Sequence, residues 1–303
     1  MTGLDDSGGG LAGRCASEGP DNLGKAPARA RTRLDVLLVE LGMFETREKA
    51  RRAIMAGEVF VDGARQDKPG AKVPASSAIE VRPTKAAYVS RGGEKLEKAL
   101  HEFGVDVAGK VAIDVGASTG GFTDCLLRHG ARRVYAVDVG YGQLAWELRN
   151  DPRVVVCERT NVRYLTREAV PEPADVCTID VSFISITKFL EHLLTFLSAG
   201  ASIVALVKPQ FEAGREKVGK GGVVRDPDVH AETLLRVVEF MMGCGLEIRG
   251  ITYSPIRGPA GNIEFLVYAV KCREPSCGLG AAVSEALEAS VREAVLAAHR
   301  ALD

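Results

Sequence analysis

The stretch Ile113-Asp114-Val115-Gly116-Ala117-Ser118-Thr119-Gly120-Gly121-Phe122 constrains this chain more than any other. Apolar Val111 to Val115 predicts a short buried strand, and Phe122 to Leu127 predicts the helix that follows it. Between them lies a turn of glycines and small hydroxyl residues. Glycine admits positive φ and lets a ligand approach the backbone where a Cβ would block it. The start of the following helix offers unpaired N–H groups to a polar ligand. The pattern is Asp-x-Gly-x-Ser-x-Gly, with an acid at the strand end, and is not the strict G-x-G-x-x-G of dinucleotide sites. A second strand, Val134 to Val137, ends at Asp138, about 24 residues beyond the first acid. A carboxylate at that place can accept both hydroxyls of an adenosine ribose. A dinucleotide or S-adenosylmethionine fits this geometry. Asp114 would repel a pyrophosphate but attracts a cationic methionyl end, which favours S-adenosylmethionine. A tight turn with no ligand explains either piece alone better than it explains the pair.

From Lys110 onward apolar strands alternate with amphipathic helices, the pattern of a parallel sheet covered on both faces. Strands are expected at 111–115, 133–138, 154–157, 174–180, 201–207, 247–253 and 263–270. Helices are expected at 121–129, 142–150, 185–198 and 227–243, with a last one over 281–302 whose stripe is Val283, Leu287, Val291, Val295 and Leu296. The fold class is therefore α/β. The polar, glycine-rich stretch 214–227 reads as a mobile loop over the site. Ligands in such sheets gather at the carboxyl ends of the strands. Those ends carry Asp114, Asp138, Asp180 and Lys208. A lysine after five apolar residues is a poor surface group, and desolvation favours the neutral amine that a general base requires. A Lys208–Asp180 ion pair closing the sheet is the plainer alternative. Glu264 stands between Ile263 and Phe265-Leu266-Val267, so it needs a partner such as a lysine. Lys95 falls in the first turns of a helix opened by Ser90-Arg91-Gly92-Gly93, where the helix dipole disfavours a cation.

The first residues follow a different grammar. Residues 1–32 are rich in Gly, Asp, Ser, Pro and Ala without periodicity and read as a disordered leader. Residues 33–83 read as a separate small α+β domain. Leu34, Leu37, Leu38 and Leu41 recur at helical spacing up to Gly42, and Thr46 can cap a second helix. The strands Val59-Phe60-Val61 and Ile79-Glu80-Val81 follow, with a turn at Asp62-Gly63. Between Lys25 and Arg52 basic residues outnumber acidic ones two to one, which suits either a solvated face or a phosphate-binding one. Residues 84–90 read as a linker, and 91–303 as the larger domain.

The net charge of −1 gives no global basic signal, so nucleic-acid binding would need a local patch. No apolar run approaches the ~20 residues of a membrane span. Seven cysteines make no C-x-x-C pair, and Cys125, Cys157 and Cys177 sit in apolar patterns as buried thiols. The chain reads as cytoplasmic and metal-free, and with no self-complementary patch, as a monomer.

Arg33-Leu-Asp-x-Leu-Leu, Thr46-Arg-Glu-Lys-Ala-Arg, Ile54-x-x-Gly57-x-Val59-x-Val61-Asp-Gly63 and Lys68-Pro69 closely resemble the RNA-binding domain shared with ribosomal protein S-four. The resemblance implies RNA contacts for Arg33, Arg47, Arg51, Arg52 and Lys68. Lys95, Asp180, Lys208 and Glu264 reproduce the Lys-Asp-Lys-Glu tetrad of FtsJ-class ribose 2′-O-methyltransferases. The surrounding words Val-Ser-Arg-Gly-Gly-x-Lys, Asp-Val-Gly-Ala-Ser-Thr-Gly-Gly-Phe-Thr, Asp-Val-Gly-Tyr-Gly-Gln-Leu-Ala-Trp, Asp-Val-Ser-Phe-Ile-Ser, Val-Lys-Pro-Gln-Phe-Glu and Gly-Asn-x-Glu are similar to the TlyA family, also labelled hemolysin. This resemblance covers about 32–300 and leaves the leader without a counterpart. It implies a Rossmann-like class I methyltransferase, with a mostly parallel seven-stranded sheet whose last strand is antiparallel. It also implies methylation of cytidine 2′-hydroxyls in 16S and 23S rRNA, with ribosomal RNA as the partner. On that reading Lys208 accepts the hydroxyl proton, Asp180 and Glu264 hold the lysines, and Lys95 orients the hydroxyl or a phosphate. S-adenosylmethionine would meet Asp114, Gly116, Ser118, Thr119 and Gly121 at its methionyl end and Asp138 at its ribose, with Asn161 bordering the pocket. The rivals are a non-catalytic ribosome-binding factor, a membrane-lytic protein and an NAD-dependent dehydrogenase.

Overall fold

The computed structural model describes residues 31–55, 57–82, 88–273 and 284–302. The leader up to residue 30, most of the 84–90 linker and Val283 lie outside them. The chain divides into two compact units, Met1–Thr84 and Lys85–Asp303.

In the first unit, β1 (Arg31–Arg33) leads into α1 (Leu34–Glu40) and α2 (Arg47–Met55). There follow β2 (Val59–Val61), β3 (Ala64–Gln66), β4 (Lys72–Pro74) and β5 (Ile79–Val81). Arg31 and Thr32, expected in the leader, pair with Pro74 and Val73. The leucine spacing of α1 and Ala50 and Ile54 of α2 bury against Val59, Val61 and Val73. The Thr46 hydroxyl accepts from the Lys49 amide at 3.2 Å, capping α2 as its sequence requires. Asp62 and Gly63 both take positive φ, the geometry of the tight hairpin turn joining β2 to β3. Strands β3 and β4 carry polar residues that periodicity does not reveal.

The second unit opens with α3 (Gly92–Phe103), β6 (Val111–Val115), α4 (Gly121–Arg128), β7 (Arg133–Val137) and α5 (Trp146–Arg149). It continues with β8 (Val154–Cys157), β9 (Ala174–Ile179), α6 (Leu190–Leu194), β10 (Leu197–Val207) and α7 (Pro209–Glu212). It closes with α8 (Pro227–Gly243), β11 (Leu246–Tyr253), β12 (Phe265–Lys271) and α9 (Glu285–Leu302). The seven strands run β11-β12-β10-β9-β6-β7-β8 across one sheet. β6 pairs in parallel with β7 and β9, and β9 pairs in parallel with β10. β12 is antiparallel to both β10 and β11. The chain walks outward from β6 to β8 and then returns to β9 on the other side. That reversal between β6 and β9 leaves an open crevice at the carboxyl ends of the central strands.

Two expected helices are shorter than periodicity suggests. The segment 142–150 is helical only over Trp146–Arg149, because Gly142, at φ +69°, takes a left-handed conformation at its start. The segment 185–198 forms a single 3₁₀ turn at Ile186–Lys188 and then α6, and Leu197 already pairs with Ala174 in the sheet. By contrast α8 starts where Pro227 occupies the first turn and the Asp226 carboxylate accepts from the Asp228 amide at 2.9 Å. On α9 the buried stripe is Val291, Ala294, Val295 and Ala298, while Leu296 is exposed.

Leu96, Leu100, Leu126 and Val134 pack one face of the sheet, and Ile113, Ile179, Leu193, Val237 and Val291 pack the other. Ile113 is fully buried in the central strand. Replacing it with Ala should lower stability by about 2–5 kcal/mol, read from urea denaturation. A change below 1 kcal/mol would contradict this placement of the core.

Candidate active site

The loop after β6 is shaped by contacts only glycine permits at its first position. Gly116 has φ +86°, and a Cβ there would lie 2.3 Å from the Asp180 carbonyl oxygen. Its N–H donates to the Val137 carbonyl at 2.8 Å. Ser118, two residues on, is left-handed with φ +49°. Its N–H donates to Asp138 Oδ2 at 2.8 Å, and the Gly140 N–H donates to Asp138 Oδ1 at 2.6 Å. Asp138 therefore ties two loops together and keeps lone pairs free, since two carboxylate oxygens offer about four acceptor sites.

Asp114 differs from expectation. It lies wholly buried beneath the loop rather than on a cavity wall. Its carboxyl accepts from the Thr123 hydroxyl at 2.7 Å and the Thr178 hydroxyl at 2.9 Å. Burial pushes its pKa up to about 7, against the lowering effect of those hydroxyls.

Above the loop, a cavity of about 620 Å³ is lined by Lys95, Asp180, Lys208 and Glu264 together with Gly116, Ser118, Thr119 and Gly121. A second cavity of about 480 Å³ is lined by Asp138, Asn161, Val139, Val162 and Ile184. The two share Gly116, Ser118, Asp180, Ser182 and Phe183 on their walls, so they form adjoining halves of one trough. Asn161 is held at its edge, where its carboxamide oxygen accepts from the Arg163 amide at 3.1 Å.

The four charged side chains come from four different elements and meet as two pairs. Lys95, on the second turn of α3, donates from Nζ to Glu264 Oε2 at 2.5 Å. Lys208, at the end of β10, lies with Nζ 2.5 Å from Asp180 Oδ1, in ion-pair contact without hydrogen-bond alignment. It also donates to the Ser182 hydroxyl at 3.0 Å. Glu264 sits just before β12, one residue outside the strand expected to hold it. Gly258 leaves the space for it, since a Cβ there would meet Glu264 Oε1 at 2.4 Å. Lys95 and Lys208 are 7% and 8% exposed and Glu264 is 1% exposed, so each charge would be costly without its partner.

Several residues at this cavity carry no signal in sequence reasoning. Phe183 is left-handed with φ +66° and is 89% exposed, its ring 4.9 Å from that of Phe211. Gln210 Oε1 is buried with no hydrogen-bond partner and also lines the cavity. Backbone strain at Phe183 could have been found only from coordinates. Among the described residues, one group outside this cavity, Glu97, Cys125 and His129, brings donor atoms close enough to hold a metal ion. Cys125, Cys157 and Cys177 are buried thiols, and burial pushes Cys125 up to about 12.

In the first unit, Asp35 organises part of the basic surface. It is fully buried, takes two hydrogen bonds from Arg33 at 3.0 Å, and a third from Arg47 Nε at 3.0 Å. The Leu34 and Asp35 amides donate to the carbonyls of Ala71 and Pro69, which brings the segment after Lys68 beside them. Arg33, Arg47, Arg51, Arg52 and Lys68 are all exposed. Asp35 was not among the expected residues, because its acid looks like one more surface charge in an amphipathic helix.

The FtsJ-like methyltransferase family matches residues 88–271, and the S4 domain matches residues 32–79. A protein of Mycobacterium tuberculosis named 16S/23S rRNA (cytidine-2′-O)-methyltransferase TlyA is 48% identical over 239 residues, covering 78% of this chain and 89% of its own. The chain belongs to the TlyA family of FtsJ-like methyltransferases. Other TlyA relatives carry other labels. YqxC of Bacillus subtilis, provisionally named an rRNA methyltransferase, is 58% identical over 78% of this chain and 84% of its own. A Streptococcus thermophilus structure provisionally titled a hemolysin superposes with a TM-score of 0.70 at 44% identity, covering 90% of this chain and 98% of its own. Among the described residues of this TlyA-family chain, no helix is long and apolar enough to cross a membrane.

The raised pKa of Asp114 has a signed consequence. The unfolded carboxyl ionises near 3.8, while the folded one keeps its proton to about 7. Folding therefore takes up a proton between those values, and stability falls as pH rises through that window. Relative to wild type, Asp114→Asn should gain on the order of 3 kcal/mol between pH 4 and pH 7.5. Urea midpoints at the two pH values measure this. An equal gap at both would show that Asp114 is ionised in the fold.

Proposed function

We propose that the chain is an S-adenosylmethionine-dependent ribosomal RNA methyltransferase acting on a cytidine 2′-hydroxyl, in 16S and 23S rRNA. The observation that carries this reading is the meeting of two lysine–carboxylate pairs, both lysines buried, in the cavity that the glycine loop also lines. The family membership and the relatives' names support the substrate class. An rRNA substrate also implies action in the cytoplasm.

The residues present fit the cofactor. Asp138, at the far half of the trough, retains acceptor capacity for a ribose diol, and Asn161 borders the same half. Gly116, Ser118, Thr119 and Gly121 edge the half that holds the tetrad. S-adenosylmethionine, when bound, supplies an electrophilic methyl group on a positively charged sulfur. Asp114 acts from below, tying α4 to β9 through Thr123 and Thr178.

A ribose hydroxyl becomes a competent nucleophile when its proton is removed or shared. Lys208 Nζ, in the amine form left once its ammonium proton has gone to solvent, accepts that proton, and Asp180 pairs with the ammonium that re-forms. Lys95, fixed by Glu264, orients the hydroxyl or an adjacent phosphate. By holding S-adenosylmethionine and the ribose side by side, the residues of the trough would also lower the entropic part of the barrier. The basic residues Arg33, Arg47, Arg51, Arg52 and Lys68 contact the phosphate backbone of structured RNA.

Proton transfer of this type contributes about 10²–10⁴-fold. Lys208→Ala should therefore lose that much turnover on ribosomal subunits while calorimetry shows unchanged S-adenosylmethionine affinity. Full activity in the variant would remove Lys208 from the chemistry. Asp138→Ala should instead lose cofactor affinity, by about tenfold or more if its charged hydrogen bonds to the ribose are each worth 1.5–3 kcal/mol. Unchanged binding would move the nucleotide pocket elsewhere.

A further inference from the structure

Two segments that close the cavity on its open side are tied to the last turn of α9. The first is the glycine-rich segment 219–224, whose Gly221 and Gly222 line the cavity. The second is the loop between β11 and β12, which contributes Arg257, Asn262 and Glu264 to the same wall. Asn262 joins them. Its Oδ1 accepts from the Val224 amide at 2.9 Å, and its Nδ2 donates to the Gly222 carbonyl at 2.9 Å. Its carbonyl in turn accepts from the Gly258 amide at 2.9 Å, in the turn that makes room for Glu264.

Each segment then reaches α9 by a separate contact. His230, on the first turns of α8, is fully buried with its ring 5.4 Å from that of Phe265. Its Nε2 lies 3.2 Å from the Val224 carbonyl, and its Nδ1 lies 3.1 Å from His299 Nε2. A carbonyl only accepts, so His230 carries its proton on Nε2. In a neutral ring Nδ1 is then an acceptor, and His299 donates to it from Nε2. The other contact is made by Arg257. Its Nε and Nη2 donate to the Leu302 carbonyl at 3.0 and 2.5 Å, and its Nη1 donates to the Gly261 carbonyl at 3.0 Å. A guanidinium at a helix C-terminus satisfies an otherwise orphan carbonyl and meets the negative end of the helix dipole.

We infer that the last turn of α9 is a positioning element of the active site, with His299 as a positioning residue that acts through His230 on the segment 219–224. His299 fixes His230, His230 fixes the Val224 carbonyl, and Asn262 clamps Val224 and Gly222 beside Glu264. Among the described residues, the hydrogen bonds named here run to neither the glycine loop nor Asp138. Its loss should therefore loosen the wall that faces the RNA and spare the cofactor half of the trough. The catalytic consequence rests on the methyltransferase reading above, whereas the ordering of the wall does not.

The test compares wild type, His299→Ala and His299→Gln in the full chain. Gln keeps an N–H donor that can reach His230 Nδ1. Hydrogen–deuterium exchange should show faster exchange in the peptide covering 219–224 of His299→Ala, unchanged exchange in β6 and β9, and return towards wild type in His299→Gln. In methyl transfer to ribosomal subunits, kcat should fall about three- to tenfold in His299→Ala, one hydrogen bond's worth, with S-adenosylmethionine affinity unchanged and activity recovered by Gln. Unaltered exchange over 219–224 in His299→Ala would overturn the inference, whatever the activity. So would a loss that spreads evenly over the sheet, or one that Gln does not recover. Absence of methyl transfer in wild type, with the exchange pattern as expected, would sink the enzymatic reading and leave the tether intact.

Discussion

A charged side chain taken out of water must find its opposite, and this requirement governs the centre of the molecule. Lys95 and Lys208 are nearly inaccessible, and each is matched by a carboxylate at 2.5 Å. Removing one partner of such a pair costs far more than the pair itself contributes, because a bare buried charge is left behind. The four side chains come from α3 and from the ends of β9, β10 and the loop before β12, so the pairs also pin those elements to one another. The arrangement is a poor choice for stability alone, since apolar residues would fill the same space at lower cost. It makes sense where ammonium and carboxylate groups have work to do on a ligand.

The sheet topology explains why that ligand finds room. Reversal of strand order between β6 and β9 leaves the backbone ends there uncovered, and the loop after β6 folds over them. Gly116 cannot carry a side chain because the Asp180 carbonyl occupies its place. Thus the loop that edges the proposed cofactor pocket and the residue that holds Lys208 are in direct contact. Asp114 and Asp138 divide the labour, the first tying α4 to β9 beneath the loop and the second joining the loop to the segment after β7. The wall opposite is built differently, from glycine-rich segments anchored to a helix at the far end of the chain.

Much of this was legible in the amino-acid sequence, and the exceptions have physical reasons. Most of the seven strands were legible as runs rich in apolar residues, and Asp138, Asp180 and Lys208 stand just past three of them, whereas β11 mixes Glu247 and Arg249 among its apolar residues. The helix expected at 227–243 coincides with α8 at both ends. Asp114 was misplaced because an acid at a strand end reads the same whether it faces a ligand or two threonine hydroxyls below. The helices at 142–150 and 185–198 were overdrawn because the left-handed Gly142 and strand pairing of Leu197 overrode helical periodicity. Asp35, Phe183, Asn262 and the His230–His299 contact depend on long-range packing that no local spacing encodes.

The proposal that the two lysine–carboxylate pairs serve a ribose hydroxyl is tested most directly by the position of the new methyl group. Purified protein would be incubated with S-adenosylmethionine and unmodified ribosomal subunits, and the rRNA digested to nucleosides for mass spectrometry. The account predicts 2′-O-methylcytidine as the product. A methyl group on a base, or no methylated nucleoside at all from correctly folded protein, would contradict it.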